Sequence, residues 1–419
     1  MNESQFSTLH SASGGNAARI GPLRMPARRA ACAFILLTCA VTTIFVGRGV
    51  HAQSPAAAED PVALQKARAK WLLDRKQKVF YTGKRFDVDL LPHYVPEQQV
   101  TGTLRIWGLN YISDAMLSEY WEKGFRKYQP GIKFEWYLPT ALTATSGLVA
   151  GTADIGANRK MTFTEILQYQ RVFNHNPFEV PMSTGSLDVA GWSDAMVIFV
   201  NKKNPITRLT LKQLDGIFGA ARLGGWQGLD WHHELGRGRD ENIRTWGQLG
   251  MTGEWKDKPI HPYGAVVRYD TATKFSDVVL RGSDQWNEDL RMFANAVGPD
   301  GKLVVWSQQI ADELAKDPYG IGYDGHGFMN ENMKTVAIQF EEGGPFVEPT
   351  LENIQNRSFK LFQANYWYIN REPGKPIEPK IKEFLKYVLS REGQEEVIRD
   401  GKYTPLNANV VREALKSLE

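Results

Sequence analysis

The chain has 419 residues, 42% of them hydrophobic and 23% charged. That length exceeds one ordinary core, so two lobes or domains are expected, and the composition excludes a mainly disordered or fibrous chain. The net charge of +3 is local: residues 1–52 hold five arginines and one acid, Glu3, and the remainder carries 45 basic and 46 acidic residues. A near-neutral body has no long-range field to gather nucleic acid or an anionic membrane surface.

Arg24, Arg28 and Arg29 precede an apolar run from Ala30 to Val46, and Val50-His51-Ala52 follows with small or modest residues at cleavage positions. This is the layout of a secretory signal. The run is at the short end for a membrane span. Cys32 and Cys39 both lie in this leader. The rest of the chain therefore has no disulfide, thiolate nucleophile or Cys-ligated zinc. The expectation is a soluble protein, periplasmic or secreted after cleavage, with residues 1–52 as the signal peptide.

Residues 53–100 form a polar N-terminal extension, with one helix expected over 61–78 that sets Leu64, Ala67, Trp71 and Leu72 on a face. Residues 102–107 alternate like a strand ending at Gly108. Ser113-Asp114 is placed to cap a helix carrying Met116, Leu117, Tyr120, Trp121 and Phe125 inward. A second strand spans 132–138, a helix 146–150 and a short strand 153–157. This alternation predicts a parallel α/β sheet with crossovers. The apolar run 195–200 reads as a strand buried on both faces. Thr210 and Gln213 make a capping-box pattern opening the next helix. The Gly- and charge-rich stretch 223–242 reads as a long surface loop. Thr271 is placed to cap a helix burying Phe275, Val278 and Val279; a strand follows at 366–370 and an amphipathic helix at 380–390.

Most chemistry motifs fail on context. Residues 320–325 match the dinucleotide glycine spacing, but Gly327 falls where a helix should run, so a turn beside a short strand is the better reading. His232-His233-Glu234 lacks the second histidine of a zinc-protease pattern, because position 237 is Arg. Ser183 and Ser186 lack a nucleophile elbow, and no carboxylate pair stands out. No enzyme activity, cofactor or metal is expected.

What remains is a set of polar groups where strands meet helices. Gly108-Leu109-Asn110 follows the first strand, and Thr140-Ala141-Leu142-Thr143 precedes a helix. Asn158-Arg159 ends the third strand, and Arg268 stands ahead of Thr271-Ala272-Thr273. In open α/β sheets ligands sit beyond the carboxyl ends of strands, where helix N-termini favour an oxyanion. Taken singly, such a Thr or Asn is more often a cap and such an Arg more often a surface ion pair.

From about Thr103 to Leu406 the chain resembles the phosphate-binding proteins of bacterial ABC transporters, in the periplasmic binding-protein superfamily. The segments 151–159, 200–205, 209–218, 245–250, 319–323 and 373–406 carry the likeness. The resemblance implies an α/β, two-lobed periplasmic binding-protein fold of type II with two segments crossing between lobes. Lobe 1 would comprise 101–186 and 327–419, and lobe 2 residues 187–326, with crossings near 183–194 and 324–336. It also implies anion ligands from the first loop, a turn before a helix, the residue after the Asp-Ile strand, and an Arg followed by Ser-Gly-Thr. The matching positions here are Gly108-Leu109, Thr140 to Thr143, Asn158, and Arg268 with Thr271, Ala272 and Thr273; Gly-Ser is not kept at either of the first two.

The function expected is therefore capture of a small oxyanion, phosphate first, by a monomer that serves an ABC permease and binds no nucleic acid. Two alternatives are a same-fold protein for another ligand and a degenerate cleft serving as an interaction or scaffold protein. Arg268 is expected to carry the anion's countercharge, with Arg159 next in line.

Overall fold

A computed structural model of the chain describes residues 60–82 and 86–419. The signal expected over 1–52 lies outside the described residues. Helix α1 (Pro61–Leu73) starts on an Asp60 cap. The chain then passes through an irregular stretch into β1 (Gly102–Gly108), α2 (Asn110–Asp114), α3 (Leu117–Phe125), β2 (Ile132–Tyr137), α4 (Leu142–Val149), β3 (Ile155–Asn158), α5 (Phe163–Phe173) and β4 (Phe178–Thr184). After a crossing come β5 (Met196–Asn201), β6 (Arg208–Thr210), α6 (Leu211–Phe218), β7 (Gly225–Gln227), β8 (Asp230–His232), β9 (His261–Ala265) and α7 (Asp270–Val279). Then follow β10 (Arg291–Phe293), β11 (Ala296–Val297), β12 (Leu303–Val304), α8 (Trp306–Leu314), β13 (Gly320–Gly325), β14 (Met333–Thr335), β15 (Ala337–Gln339), β16 (Phe346–Val347) and α9 (Leu351–Gln355). The chain returns as β17 (Ala364–Ile369) and closes with α10 (Pro379–Leu389), α11 (Arg391–Asp400) and α12 (Ala408–Ser417).

Two five-stranded sheets result, ordered β2-β1-β3-β17-β4 and β10-β9-β13-β5-β14. Each is the centre of a lobe, and the cores separate accordingly. Trp121, Phe125, Trp367 and Phe384 pack on one face of the first sheet, and Tyr169, Tyr366 and Tyr368 on the other. Phe199, Phe218, Phe275 and Tyr323 lie in the core of the second. The sheets are mixed rather than parallel. Strand β17 runs antiparallel to both β3 and β4, and β5 runs antiparallel to β13 and β14. Both departures occur at strands next to a crossing, where the chain enters its new sheet from the connecting segment rather than through a helix.

The crossings lie side by side. One joins β4 to β5 and the other leads into β17. Gly185 donates its N–H to the Gln363 carbonyl at 2.7 Å, and Gln363 Nε2 donates to the Asp194 carbonyl at 3.0 Å. Met196 donates to the Leu361 carbonyl at 3.1 Å. The second crossing is therefore at about 361–364, not near 324–336. Residues 333–335 pair with β5, and Val336, Ile338, Ile354 and Phe359 are buried in the second lobe's core, so 327–361 belongs with that lobe.

Other local expectations also change. Residues 320–325 form a central buried strand, not a turn: Gly320 and Gly322 leave room for the Leu314 side chain of α8 packed against them. The stretch 223–242 contains the β7–β8 hairpin. Ser113-Asp114 does not cap α3; the Met116 N–H donates instead to Asp400 Oδ1 at 2.9 Å. Thr210 and Gln213 form a reciprocal capping box, as their spacing predicts. Among the described residues no helix is long and apolar enough to cross a membrane.

Candidate functional site

Strands β1, β2 and β3 end at one rim of the first sheet, and β9 ends at the facing part of the second lobe. The helices that follow begin there. Arg105 ties the start of β3 to β1: its side chain donates to both Asp154 carboxylate oxygens, at 2.6 and 3.3 Å. The Asp of the Asp-Ile strand is thus committed to register.

The first loop is shaped by its glycine. Gly108 has φ +141°, and a Cβ there would lie 1.8 Å from the Ala157 carbonyl oxygen. Only glycine permits that approach, and it lets the Leu109 N–H donate to the same carbonyl at 2.8 Å. Leu109 is buried in the core, and Asn110 Nδ2 donates to Asp114 Oδ2. Leu109 thus has no polar side-chain group to offer a ligand, and one Asn110 amide donor is engaged.

Helix α4 has Ala141 as its N-cap, with no side-chain hydrogen bond. Thr140 is exposed, and its carbonyl accepts from both the N–H and the hydroxyl of Thr143. Helix α5, by contrast, is sealed by a capping box between Thr162 and Glu165. Glu165 also accepts from Asn158 Nδ2 at 2.9 Å, while Asn158 Oδ1 accepts the Arg159 N–H at 2.8 Å. Asn158 therefore holds Arg159 in place.

Arg159 is 8% exposed. Its guanidinium lies 4.9 Å from the Tyr111 ring centroid and forms an ion pair with Asp270, the first residue of α7. That pair spans the lobes. Its Nε is buried without a hydrogen-bond partner, a donor whose desolvation is uncompensated. A second contact between lobes sets Phe163 of α5 against Trp226 of β7, with ring centroids 4.6 Å apart.

Helix α7 departs from the sequence expectation. Tyr269, not Thr271, is its N-cap, and no side chain caps it. Thr273 donates its N–H to the Tyr269 carbonyl at 3.1 Å, and Ala272 is fully buried. Arg268 is exposed, with its guanidinium 5.8 Å from the Tyr269 ring centroid. The residues brought together are thus Arg159, Asp270 and the start of α7. Arg268 and Thr140 stand at exposed positions, and Leu109 and Ala272 are core.

Sequence reasoning missed Lys274. It lies one helical turn beyond Asp270 and is half-buried, with Arg159, Lys160 and Glu165 of the first lobe as electrostatic neighbours. Burial, then the Arg159 charge, hold its amine well below the ordinary lysine value. The i, i+4 spacing from the residue that meets Arg159 is the one signal available, and it is informative only once that contact is known. Asp194, in the first crossing, is a further electrostatic neighbour of Arg159; burial raises its carboxyl to about 6. Among the described residues no group of His, Cys, Asp and Glu is arranged to hold a metal ion. His232 is instead hydrogen-bonded to Glu234, at 2.6 Å. The arrangement offers charge and N–H donors for an anion between two lobes.

The sequence profile of the PBP superfamily domain matches residues 95–392. The phosphate-binding protein PstS of Pseudomonas aeruginosa is 32% identical over 329 residues, covering 78% of this chain and 90% of that protein. PstS of Staphylococcus aureus is 26% identical over 205 residues, covering 48% of this chain and 51% of that protein. The crystal structure of PstS from Borrelia burgdorferi aligns with a TM-score of 0.48 at 16% identity, covering 73% of this chain and 99% of that one.

Proposed function

The chain belongs to the PBP superfamily, and from that premise we propose that it captures phosphate for an ABC transporter, in the periplasm or outside the cell. Two lobes joined by paired crossings suit closure over a small ligand. Arg159 is the observation that carries the reading: a guanidinium enclosed between lobes, holding a donor for which the protein supplies no acceptor. An oxyanion would take that donor, with the uncapped start of α7 and Lys274 beside it. Charge-assisted bonds in an enclosed site are the strong ones. Arg268 stands outside as a steering charge, and Asn158 acts through Arg159 rather than on the ligand. Capture and release need no covalent chemistry. Names of the Pseudomonas and Staphylococcus relatives support phosphate as the anion.

The test is a calorimetric titration of the exported protein with phosphate, sulfate, molybdate and small carboxylates. Saturable one-to-one phosphate binding, tighter than the others, is the expected result. Tighter binding of another anion would transfer the site to that ligand, and no anion binding would remove the reading.

A further inference from the structure

The N-terminal extension precedes residue 95, where the matched family domain begins, yet α1 and the turn after it reach both lobes and the first crossing. Leu72 is buried in the first lobe's core, and α1 lies against β11 and β12 of the second. Arg75 Nη1 donates to the Ala190 carbonyl at 2.7 Å within the crossing. Its guanidinium sits 4.2 Å from the Trp71 ring, 4.6 Å from Trp192 and 5.2 Å from Phe80. Trp71 and Trp192 stack with centroids 6.2 Å apart and planes 17° apart.

This contact required a glycine in the crossing. Gly191 has φ +85°, and a Cβ there would lie 2.5 Å from the Trp71 ring. Two residues of the same crossing segment are also engaged: the Leu187 N–H donates to Tyr81 Oη at 2.8 Å, and Val189 is buried in the same core as Leu72. Arg68 of α1 lies 5.9 Å from the Tyr111 ring, the ring that Arg159 approaches to 4.9 Å. Asp194 is an electrostatic neighbour of both Arg75 and Arg159.

We infer that residues 61–82 form a strap that holds the lobes together over the anion site, with Arg68, Trp71 and Arg75 as positioning residues for Arg159 and the hinge. Contacts that link two lobes and the hinge in one arrangement favour that arrangement over any open one. The strap therefore raises the population of the closed form, which slows escape of the bound anion and lowers the fraction of protein open to encounter. The inference rests on the anion-capture reading only for its ligand.

The test uses the exported protein with Arg75→Gln, Arg75→Lys and Arg68→Gln, and the exposed, uninvolved Lys66→Gln as control. Phosphate release is followed by stopped-flow tryptophan fluorescence, and the radius of gyration without ligand by small-angle X-ray scattering. Arg75→Gln is expected to speed release about five- to tenfold, the scale of a lost cation–π stack and hydrogen bond. Association should speed up as well, by a smaller factor, because more of the ligand-free protein is open. Arg75→Lys should recover part of the effect, Arg68→Gln should speed release by a smaller factor, and Lys66→Gln should match the parent. The ligand-free Arg75→Gln protein should be larger than the parent. A variant that merely melts earlier, with unchanged release and unchanged radius, would overturn the strap. If the parent binds no phosphate, the capture reading fails by itself, and the radius comparison still decides the strap.

Discussion

Arg159, at the end of β3, and Asp270, the first residue of α7, form an ion pair that joins the two lobes at the site where an anion would sit. The carboxylate occupies the arginine from one side while Nε stays without an acceptor. Asp270 thus preorganises the guanidinium and competes with the incoming anion. Removing the cation and removing its competitor should act in opposite directions. Arg159→Met should weaken phosphate binding by tenfold or more, since a hydrogen bond to a charged group is worth about 1.5–3 kcal/mol. Asp270→Asn should tighten it several-fold in calorimetry at low salt. Weaker binding in Asp270→Asn would mean that the pair acts chiefly as a latch.

Arg268 should behave differently because it is exposed. A rim charge accelerates encounter and is screened by salt, whereas a buried pair controls release. Arg268→Ala should therefore slow phosphate association at low ionic strength, with the difference vanishing at high salt and the release rate unchanged. A large rise in the release rate would place Arg268 inside the closed site.

Lys274 leads to a proton count. Burial and the neighbouring Arg159 hold its amine well below the ordinary lysine value. A bound anion stabilises the charged form and moves that value back up. Where the working pH lies between the free and bound values, binding must take up a proton. Calorimetric titrations in buffers of different ionisation enthalpy should show a larger proton uptake for the parent protein than for Lys274→Met. Equal buffer dependence in both would exclude Lys274 as the group that titrates.

Much of this arrangement was legible in the sequence, and the failures have physical causes. The apolar run that became β5 and the Thr210–Gln213 box are local signals, and both appear in place. The 320–325 segment reads as a turn in the sequence because its glycines serve close packing against Leu314 of α8, a tertiary fact. Residues 333–361 hold strands of two or three residues and the five-residue helix α9, all too short for periodicity to mark, so nothing in the sequence signals that the second crossing comes only after them. Asn158 and Arg159 stood out as polar residues at a strand end. That Asn158 is committed to Glu165, and that Arg159 meets Asp270 111 positions later, depends on long-range closure. The aromatic grouping of Trp71, Phe80 and Trp192 gave no signal, because its members come from the extension and the crossing.

The last expectation concerns stability against pH, and it centres on Asp194. Its carboxyl lies in the first crossing and is 7% exposed, with Oδ2 lacking a hydrogen-bond partner. The Gly191 N–H donates to Oδ1 at 3.4 Å, a further backbone hydrogen bond comes from Gly327, and Arg159 and Arg75 supply nearby positive charge. Asp324 faces it as a second buried carboxyl, itself raised by burial and by the Asp194 charge. Desolvation wins over these partners and lifts Asp194 from 3.8 to about 6. The folded state thus holds this proton more tightly than the unfolded state does. Its contribution to stability is fully present below pH 3.8 and is lost as pH rises through about 6, so Asp194 opposes folding at neutral pH. Asp194→Asn keeps an acceptor for the Gly191 N–H and has no charge to desolvate. It should therefore raise stability at pH 7 by on the order of 2 kcal/mol. The difference from the parent should shrink steadily as pH falls from 6 to 4, read from calorimetric melting curves. The same substitution removes a negative charge near Arg159, so phosphate affinity at pH 7 should rise rather than fall. A variant that is less stable at pH 7 would show that the ionised carboxylate, held by Arg75 and Arg159, is the form the hinge requires.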